Sequence, residues 1–577
     1  MGLDIDYSKD GYKILRVEVN GKKKYVGSKY NQKREIDNFI NSFGQISIKD
    51  NFIILGLSFG EHIKELIKTS GKDSKILIVE FNNELIDYCK NDEKAKFIFE
   101  DKRISLITTD KDIREFFYNN IDEGNINFLK IDTYCKYANI FWNEFSRIHS
   151  LIKEEVLRIT LNRNTVLING DMYLKNLLKN VKYIAKSTEI NVLKNKYKNQ
   201  PAIIVSAGPS LSKNIHLLKN VNNSLILSGG RTVKALLEKG IQPSFVGIVD
   251  PKEESYKLVE GFIDKVEYPL YFNDATPTNA IKEHHGKKFF SLQNNFLNNA
   301  LNMEVPSLYG GGSIAHSLTK VALYMGCSPI VFIGQDLAYT DEREHDISSR
   351  SPWDSPTYRF YSREDDIYVD DVFGNKVRTS LQLNTYRISL EKIISENKEI
   401  KFINATEGGA NINGAINKTL IDVINEFDNT YITPINNYLI SEDKTAKIIN
   451  YLENTLLECD KYKELCTEGR KVLEKYKINY CSNRISQLEK YERKFNIIHS
   501  QIQNKLQSII VLNAGLSKVI YEVEGNSDFV ILIKDSEEER FRKTYNKTMT
   551  LYSNLQKVIE NNYNKIKDLI DELKTEA

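Results

Sequence analysis

Three short turns in the middle of the chain place small, flexible and polar residues directly after apolar runs. That arrangement lets backbone amides approach an anion. Ser206-Ala207-Gly208-Pro209-Ser210-Leu211 follows the run AIIV and opens a helical pattern, so the N–H groups at Gly208 and Ser210 can face a phosphate at a helix N-terminus. Ser228-Gly229-Gly230-Arg231 adds a guanidinium, and Tyr309-Gly310-Gly311-Gly312-Ser313 supplies three consecutive glycines where a backbone can come close to a ligand. Each turn alone is also what an ordinary tight strand-to-helix connection contains, but together they point to a nucleotide-phosphate cradle. No GK[ST] sequence follows any of them, so an ATP-hydrolysing P-loop is unsupported.

Carboxylates stand at the ends of further apolar runs. Asp250 closes FVGIVD, Asp336 closes IVFIGQD behind Gln335, and Glu407 follows KFINAT. An acid there can hold a ribose or a metal, or act as a base; its plain alternative is to cap the next turn. His345, in EREHD, offers an imidazole that titrates near neutral pH, with a solvated loop histidine as the alternative. His316 reads as a helix-packing residue, and the pair His284-His285 lacks a spaced acidic or Cys partner, so no metal is assigned. Gly56-Leu57-Ser58-Phe59-Gly60 matches the GxSxG of a nucleophile elbow, but any first strand-to-helix turn of a parallel sheet supplies the same context. With Glu80 closing the next apolar run, those residues can also serve a nucleotide ribose, although the full GxGxxG is missing.

The elements that must carry these residues fall into three parts. Up to about residue 165, the runs Asn51 to Leu57 and Lys75 to Val79 flank a helical pattern over His62 to Ile67, which predicts a Rossmann-like unit. Residues 166–435 repeat the strand, turn and helix pattern, and all 11 prolines lie there, between Pro201 and Pro434. Residues 341 to 380 interrupt it with a polar, aromatic stretch bearing Trp353, Tyr358, Phe360 and Tyr361, which reads as a lid, and a hairpin across Gly374 and Asn375. From about residue 436 to 577, segments such as KIINYLENTLL and KVIENNYNKIKDLIDEL predict a helical bundle with one short apolar interruption at FVILIK. The fold class is therefore α/β with an α-helical C-terminal part.

Composition narrows the function further. Lys plus Arg number 80 against 78 Asp plus Glu, a net +2, without the basic excess of a dedicated nucleic-acid binder. A hydrophobic fraction of 41% with 32 Tyr and 26 Phe excludes wholesale disorder. The six Cys are scattered without a CxxC pair, the N-terminal MGLDIDYSKDGYK lacks an apolar core, and no apolar stretch reaches the 18 or so residues of a membrane helix. A cytoplasmic protein with no membrane anchor is the expectation.

SAGPSL, the Asp250-Pro251 strand end, GGGSIAHSL, GCSPIVFIGQDLAYT and NATEGGANINGA together resemble the motility-associated factor (Maf) flagellin glycosyltransferases. The specific motifs lie within residues 200 to 415, while the two outer parts match that family by layout alone. The resemblance implies a middle domain similar to bacterial sialyltransferases. It also implies transfer of a nonulosonic acid, of the pseudaminic or legionaminic kind, from its CMP-activated form to Ser or Thr of flagellin, with no further cofactor. On that reading Ser206, Gly208, Pro209, Ser210, Gly229, Gly230, Arg231, Asp250, Gly310, Gly311, Gly312, Ser313 and Gln335 bind the donor. Asp336, His345 and Glu407, in that order, are candidates for the base. The C-terminal helices become a surface for flagellin or for a second copy of the chain. Two rivals remain: a diphosphokinase of the 6-hydroxymethylpterin type using ATP and Mg²⁺, which the middle domain also resembles, and a non-catalytic flagellin-binding scaffold.

Overall fold

In the computed structural model the described residues are 3–19, 21–265, 268–351, 366–428, 431–438, 442–482 and 484–576. The chain divides into two compact units, one of Met1–Gly170, Lys461–Leu506 and Asn513–Glu560, the other of Asp171–Asp460, Gln507–Leu512 and Asn561–Ala577.

The first unit opens with an antiparallel sheet of β1 (Asp4–Tyr7), β2 (Lys13–Val19) and β3 (Lys22–Tyr25). A parallel sheet follows, of β4 (Asn51–Leu55), β5 (Ile76–Val79), β6 (Ile104–Ile107) and β7 (Leu129–Thr133), in the order β6-β5-β4-β7. Its strands are apolar on both faces because both are covered: Phe52, Ile54, Ile76 and Ile78 face one core, Ile53, Leu55, Leu77 and Val79 the other. This is the Rossmann-like arrangement expected from the alternation.

The second unit is built on nine strands, β8 (Thr188–Glu189), β9 (Ala202–Val205), β10 (Leu225–Gly229), β11 (Phe245–Ile248), β12 (Leu270–Asn273), β13 (Lys288–Ser291), β14 (Ile330–Ile333), β17 (Phe402–Asn404) and β18 (Ile416–Asn417), between which the hairpin β15 (Ile367–Asp370) and β16 (Lys376–Thr379) intervenes. Every pairing in the large sheet is parallel, in the order β18-β17-β14-β9-β10-β11-β12-β13-β8. The run from β9 to β13 grows one way and the chain then returns to place β14 on the other side of β9. Such a reversal makes a crevice at the carboxyl ends of the two strands where it occurs. The helix Ile314–Met325 lies across β9, β10 and β11, and Gly247 on β11 admits it: a Cβ there would stand 2.9 Å from Leu318.

The helical C-terminal part, expected as a domain over 436–577, is shared between the two units. The FVILIK segment explains half of this, since it pairs back onto the first unit: Ile48 N–H donates to Ile531 O and Ile533 N–H to Ile46 O, each at 3.0 Å. In the second unit, ion pairs Lys182–Glu572 at 3.1 Å and Lys574–Glu453 at 2.6 Å join the last helical turns to earlier helices. Among the described residues no single helix is long and apolar enough to cross a membrane.

Candidate active site

Because the large sheet is parallel throughout, the turns after β9, β10, β14 and β17 emerge at its carboxyl edge, whereas Gly310–Ser313, expected to leave a strand, follows the helix Asn295–Leu301 and opens the helix Ile314–Met325 beside Gly229. They form two groups. The first gathers the ends of β9, β14 and β17. Gly208 N–H donates to Gly334 O at 2.7 Å, and a Cβ on Gly208 would stand 2.1 Å from an Asp336 carboxylate oxygen, so only glycine fits there. Asp336 is 1% exposed, accepts the Ser210 hydroxyl at 2.8 Å, and lies 3.2 and 3.3 Å from the Ser210 amide. Its backbone oxygen accepts Ala410 N–H at 2.7 Å, and Gly409, at φ +78, lets that loop close on it. Ser206 is hydrogen-bonded through its hydroxyl to the Gln335 side chain, and Gln335 N–H donates to Thr406 Oγ1 at 3.1 Å. Pro209 completes the turn. Glu407, half-buried, accepts Lys213 through its carbonyl at 2.9 Å.

In this geometry the Gly208 and Ser210 amides, expected to face a phosphate, are donated inside the protein, and Asp336, first of the candidate bases, is buried with its oxygens on Ser210. Burial raises its pKa above the usual carboxylate range.

The second group lies at the ends of β10 and β11. The helix Gly230–Glu238 starts directly from Gly229, with no side chain capping it among the described residues and with Arg231 in its first turn. A Cβ on Gly229 would meet Ile314 at 2.7 Å, so the Gly229–Arg231 turn abuts the residue that follows Gly310–Ser313. The two glycine-rich turns are thus neighbours. Ser313 caps its helix by accepting Ala315 N–H at 3.3 Å. Gly310 N–H donates to Ser317 Oγ at 3.3 Å, whereas among the described residues nothing accepts from the amides of Gly311 and Gly312. Tyr386 walls the turn, 2.4 Å from where a Gly312 Cβ would stand. His316 is fully buried, as a packing role requires; burial lowers its pKa, and its ring bonds Tyr386 O at 2.9 Å.

Asp250 is exposed, and its carboxylate accepts Lys252 N–H at 3.0 Å, a local turn bond. Burial and then the Asp250 charge push up the Tyr309 phenol beside it. The strap that leaves β14 crosses both groups: Asp346 N–H donates to Ala207 O at 2.8 Å, and residues 347–349 pack on the helix Gly230–Glu238. His345, half-buried, rides on that strap. Trp353, Tyr358, Phe360 and Tyr361 lie outside the described residues, while the expected hairpin across Gly374 and Asn375 is present, with Asp370 opposite Lys376.

Sequence reasoning missed Asp274, the strand-end acid of β12, although it has the same signature as Asp250 and Asp336. It is 2% exposed, receives Gln293 and Asn294 N–H at 3.0 and 2.9 Å, and burial pushes its pKa up to about 6. Asp346 and Tyr386 were missed too, having no turn or strand-end signal. Among the described residues no group of His, Cys, Asp and Glu is arranged to hold a metal. Two recesses of about 410 and 600 Å³ open at the opposite, amino edge, around Pro201 and Pro329 and around Pro243 and Pro269. Their place far from the glycine-rich turns makes them poor candidates for chemistry, since ligands of parallel sheets bind at the carboxyl ends.

The first unit has a carboxyl-edge crevice of its own, between β4 and β7, and a protein side chain occupies it. The Tyr137 ring lies where a Gly56 side chain would be, 2.4 Å from a Cβ, and its hydroxyl donates to Glu80 at 2.8 Å and accepts Ser58 N–H at 2.8 Å. Glu80, 1% exposed, also takes the amides of Leu57, Phe81 and Asn82. Ser58 is 6% exposed and His62 is buried, stacked on Tyr134 and held neutral with a pKa lowered to about 3 by burial. Neither the nucleophile nor the ribose-binding reading of this turn has an open site here.

The second unit is thus a doubly wound α/β unit with a glycine-lined carboxyl edge and a strap over it. Over its whole length the chain shares its fold with a solved Maf glycosyltransferase from Magnetospirillum magneticum AMB-1, at a TM-score of 0.58 and 14% identity, covering 99% of this chain and 93% of that one. Residues 175–342, under a third of the chain, match the family described as 6-hydroxymethylpterin diphosphokinase MptE-like. No curated protein matches the sequence.

Proposed function

We propose that the chain is a glycosyltransferase that moves a nonulosonic acid of the pseudaminic or legionaminic type from its CMP-activated donor to Ser or Thr hydroxyls of flagellin. The observation that carries this is the meeting of the Gly229–Arg231 and Gly310–Ser313 turns around Ile314, in a chain with the fold of a Maf glycosyltransferase. A CMP sugar presents one phosphate, and the helix start, the Gly311 and Gly312 amides and Arg231 are the groups suited to hold it.

In the reaction the acceptor oxygen bonds to the anomeric carbon while the bond from that carbon to the phosphate oxygen breaks. CMP leaves with both electrons of that bond, its charge held by the amides and the guanidinium. The acceptor proton passes to a base, and since Asp336 is turned inward, His345 or Glu407 takes that role. Attack from the face opposite CMP inverts the anomeric centre. No metal or further cofactor enters this scheme, and the setting is the cytoplasm, where flagellin is made before export.

The match of residues 175–342 to the MptE-like family favours one rival, diphosphate transfer from ATP with Mg²⁺. A thermal-shift comparison separates the two, because a ligand at 100 times its Kd adds about 2.7 kcal/mol to the folded state. Stabilisation by CMP and not by ATP with Mg²⁺ is the expected result; the reverse selects the diphosphokinase.

A further inference from the structure

Immediately after His345, a buried carboxylate is bonded in three directions. Asp346 is 2% exposed; one oxygen accepts Ser212 N–H at 3.1 Å and the other accepts Ser348 N–H at 2.9 Å and the Ser348 hydroxyl. Its own N–H donates to Ala207 O at 2.8 Å. That nitrogen belongs to the peptide bond joining His345 to Asp346, so the backbone of His345 is pinned on the first turn after β9. On the far side of the carboxylate, residues 347–349 pack against the helix Gly230–Glu238, whose start carries Arg231. One acid therefore ties together the turn of β9, the strap and the helix of the donor cradle.

A carboxylate this buried that spends its acceptors on backbone amides contacts no substrate; it sets where its neighbours stand. We infer that Asp346 is a positioning residue that fixes His345 over the carboxyl ends of β9 and β10, where the acceptor hydroxyl must be deprotonated. The inference rests on the glycosyltransferase reading. A general base displaced by about 1 Å loses about 100-fold in rate while substrate binding elsewhere in the site persists.

The test is steady-state transfer by the full chain, with CMP-pseudaminic and CMP-legionaminic acid as donors and flagellin as acceptor, for the wild type, Asp346→Asn, His345→Ala and the double variant. Asp346→Asn is expected to lower kcat about 100-fold and to change donor KM less than about threefold. In the His345→Ala background the same substitution is expected to add less than about twofold, because a positioning residue has nothing left to position. Trypsin should cut Asp346→Asn faster than wild type at Arg343 or Arg350. Where Asp346→Asn fails to fold, Ser348→Ala removes only the hydroxyl donor and should show a smaller kcat loss with the same non-additivity. Losses that multiply in the double variant, or unchanged kcat in Asp346→Asn, overturn the inference. A wild type that turns over neither donor refutes the functional reading instead, and the trypsin comparison then reads the tether on its own.

Discussion

Replacing Asp336 by Asn distinguishes two roles that one strand-end carboxylate can have. Its oxygens meet the Ser210 hydroxyl at 2.8 Å and the Ser210 amide at 3.2 and 3.3 Å, all at a position 1% exposed. Asn keeps one acceptor oxygen and turns an NH₂ group toward a donor, so at least one buried bond is lost and two donors confront each other. A buried donor left unsatisfied costs about 1–3 kcal/mol, which for a unit of this size lowers the thermal midpoint by roughly 2–10 °C. Because the carboxylate does not face the cradle, kcat of the folded variant should stay within about tenfold of wild type at a temperature well below the midpoint. A base would behave in the opposite way, losing about 10²–10⁴ in kcat with little change in midpoint. Melting followed by fluorescence, together with transfer kinetics on the same preparation, reads both quantities. An unchanged midpoint with kcat down more than about 100-fold would refute the clamp.

Three further outcomes are expected. With its folded pKa raised to about 6 from 3.8, Asp274 favours the protonated folded state, so its contribution is present below pH 4 and is lost as pH rises through about 6. The loss is at most about 3 kcal/mol, and a urea titration should show the decline between pH 4 and 7 in wild type and not in Asp274→Asn. Tyr137→Ala should destabilise the first unit by about 3–5 kcal/mol, since it empties the crevice and strips Glu80 and Ser58 of a partner; wild-type protein should show no thermal shift with S-adenosylmethionine or NAD, and a clear shift would contradict the occupied crevice. Gly312→Ala places a Cβ 2.4 Å from the Tyr386 ring, so the turn must move and CMP affinity should fall about tenfold or more; calorimetric CMP binding equal to wild type would remove that turn from the cradle.

Much of the architecture is legible from apolar runs and their punctuation. Asn51 to Leu57 contains β4, Lys75 to Val79 contains β5, and AIIV, LILSG and IVFI are β9, β10 and β14. The hairpin across Gly374 and Asn375 follows from turn chemistry alone. The strand β3, KKKY, has no apolar face and is mostly exposed, so periodicity cannot find it. What the turns do is harder to read, because it depends on partners far along the chain. Ser210 meets Asp336 across 126 residues and Ser58 meets Tyr137 across 79, and neither separation leaves a local signal. SAGPSL therefore reads as an anion cradle when its Gly208 and Ser210 amides are already paired, while Gly310–Ser313, whose sequence is no more suggestive, keeps the Gly311 and Gly312 amides free of protein acceptors among the described residues.

Intact-mass spectrometry of flagellin incubated with the purified chain and a CMP-nonulosonic acid tests the central claim most directly. A mass increase by one or more nonulosonic acid residues, with CMP released and with no added Mg²⁺ or ATP, is the predicted result. Unmodified flagellin with both the pseudaminic and legionaminic donors, alongside diphosphate transfer from ATP to 6-hydroxymethylpterin, would contradict it.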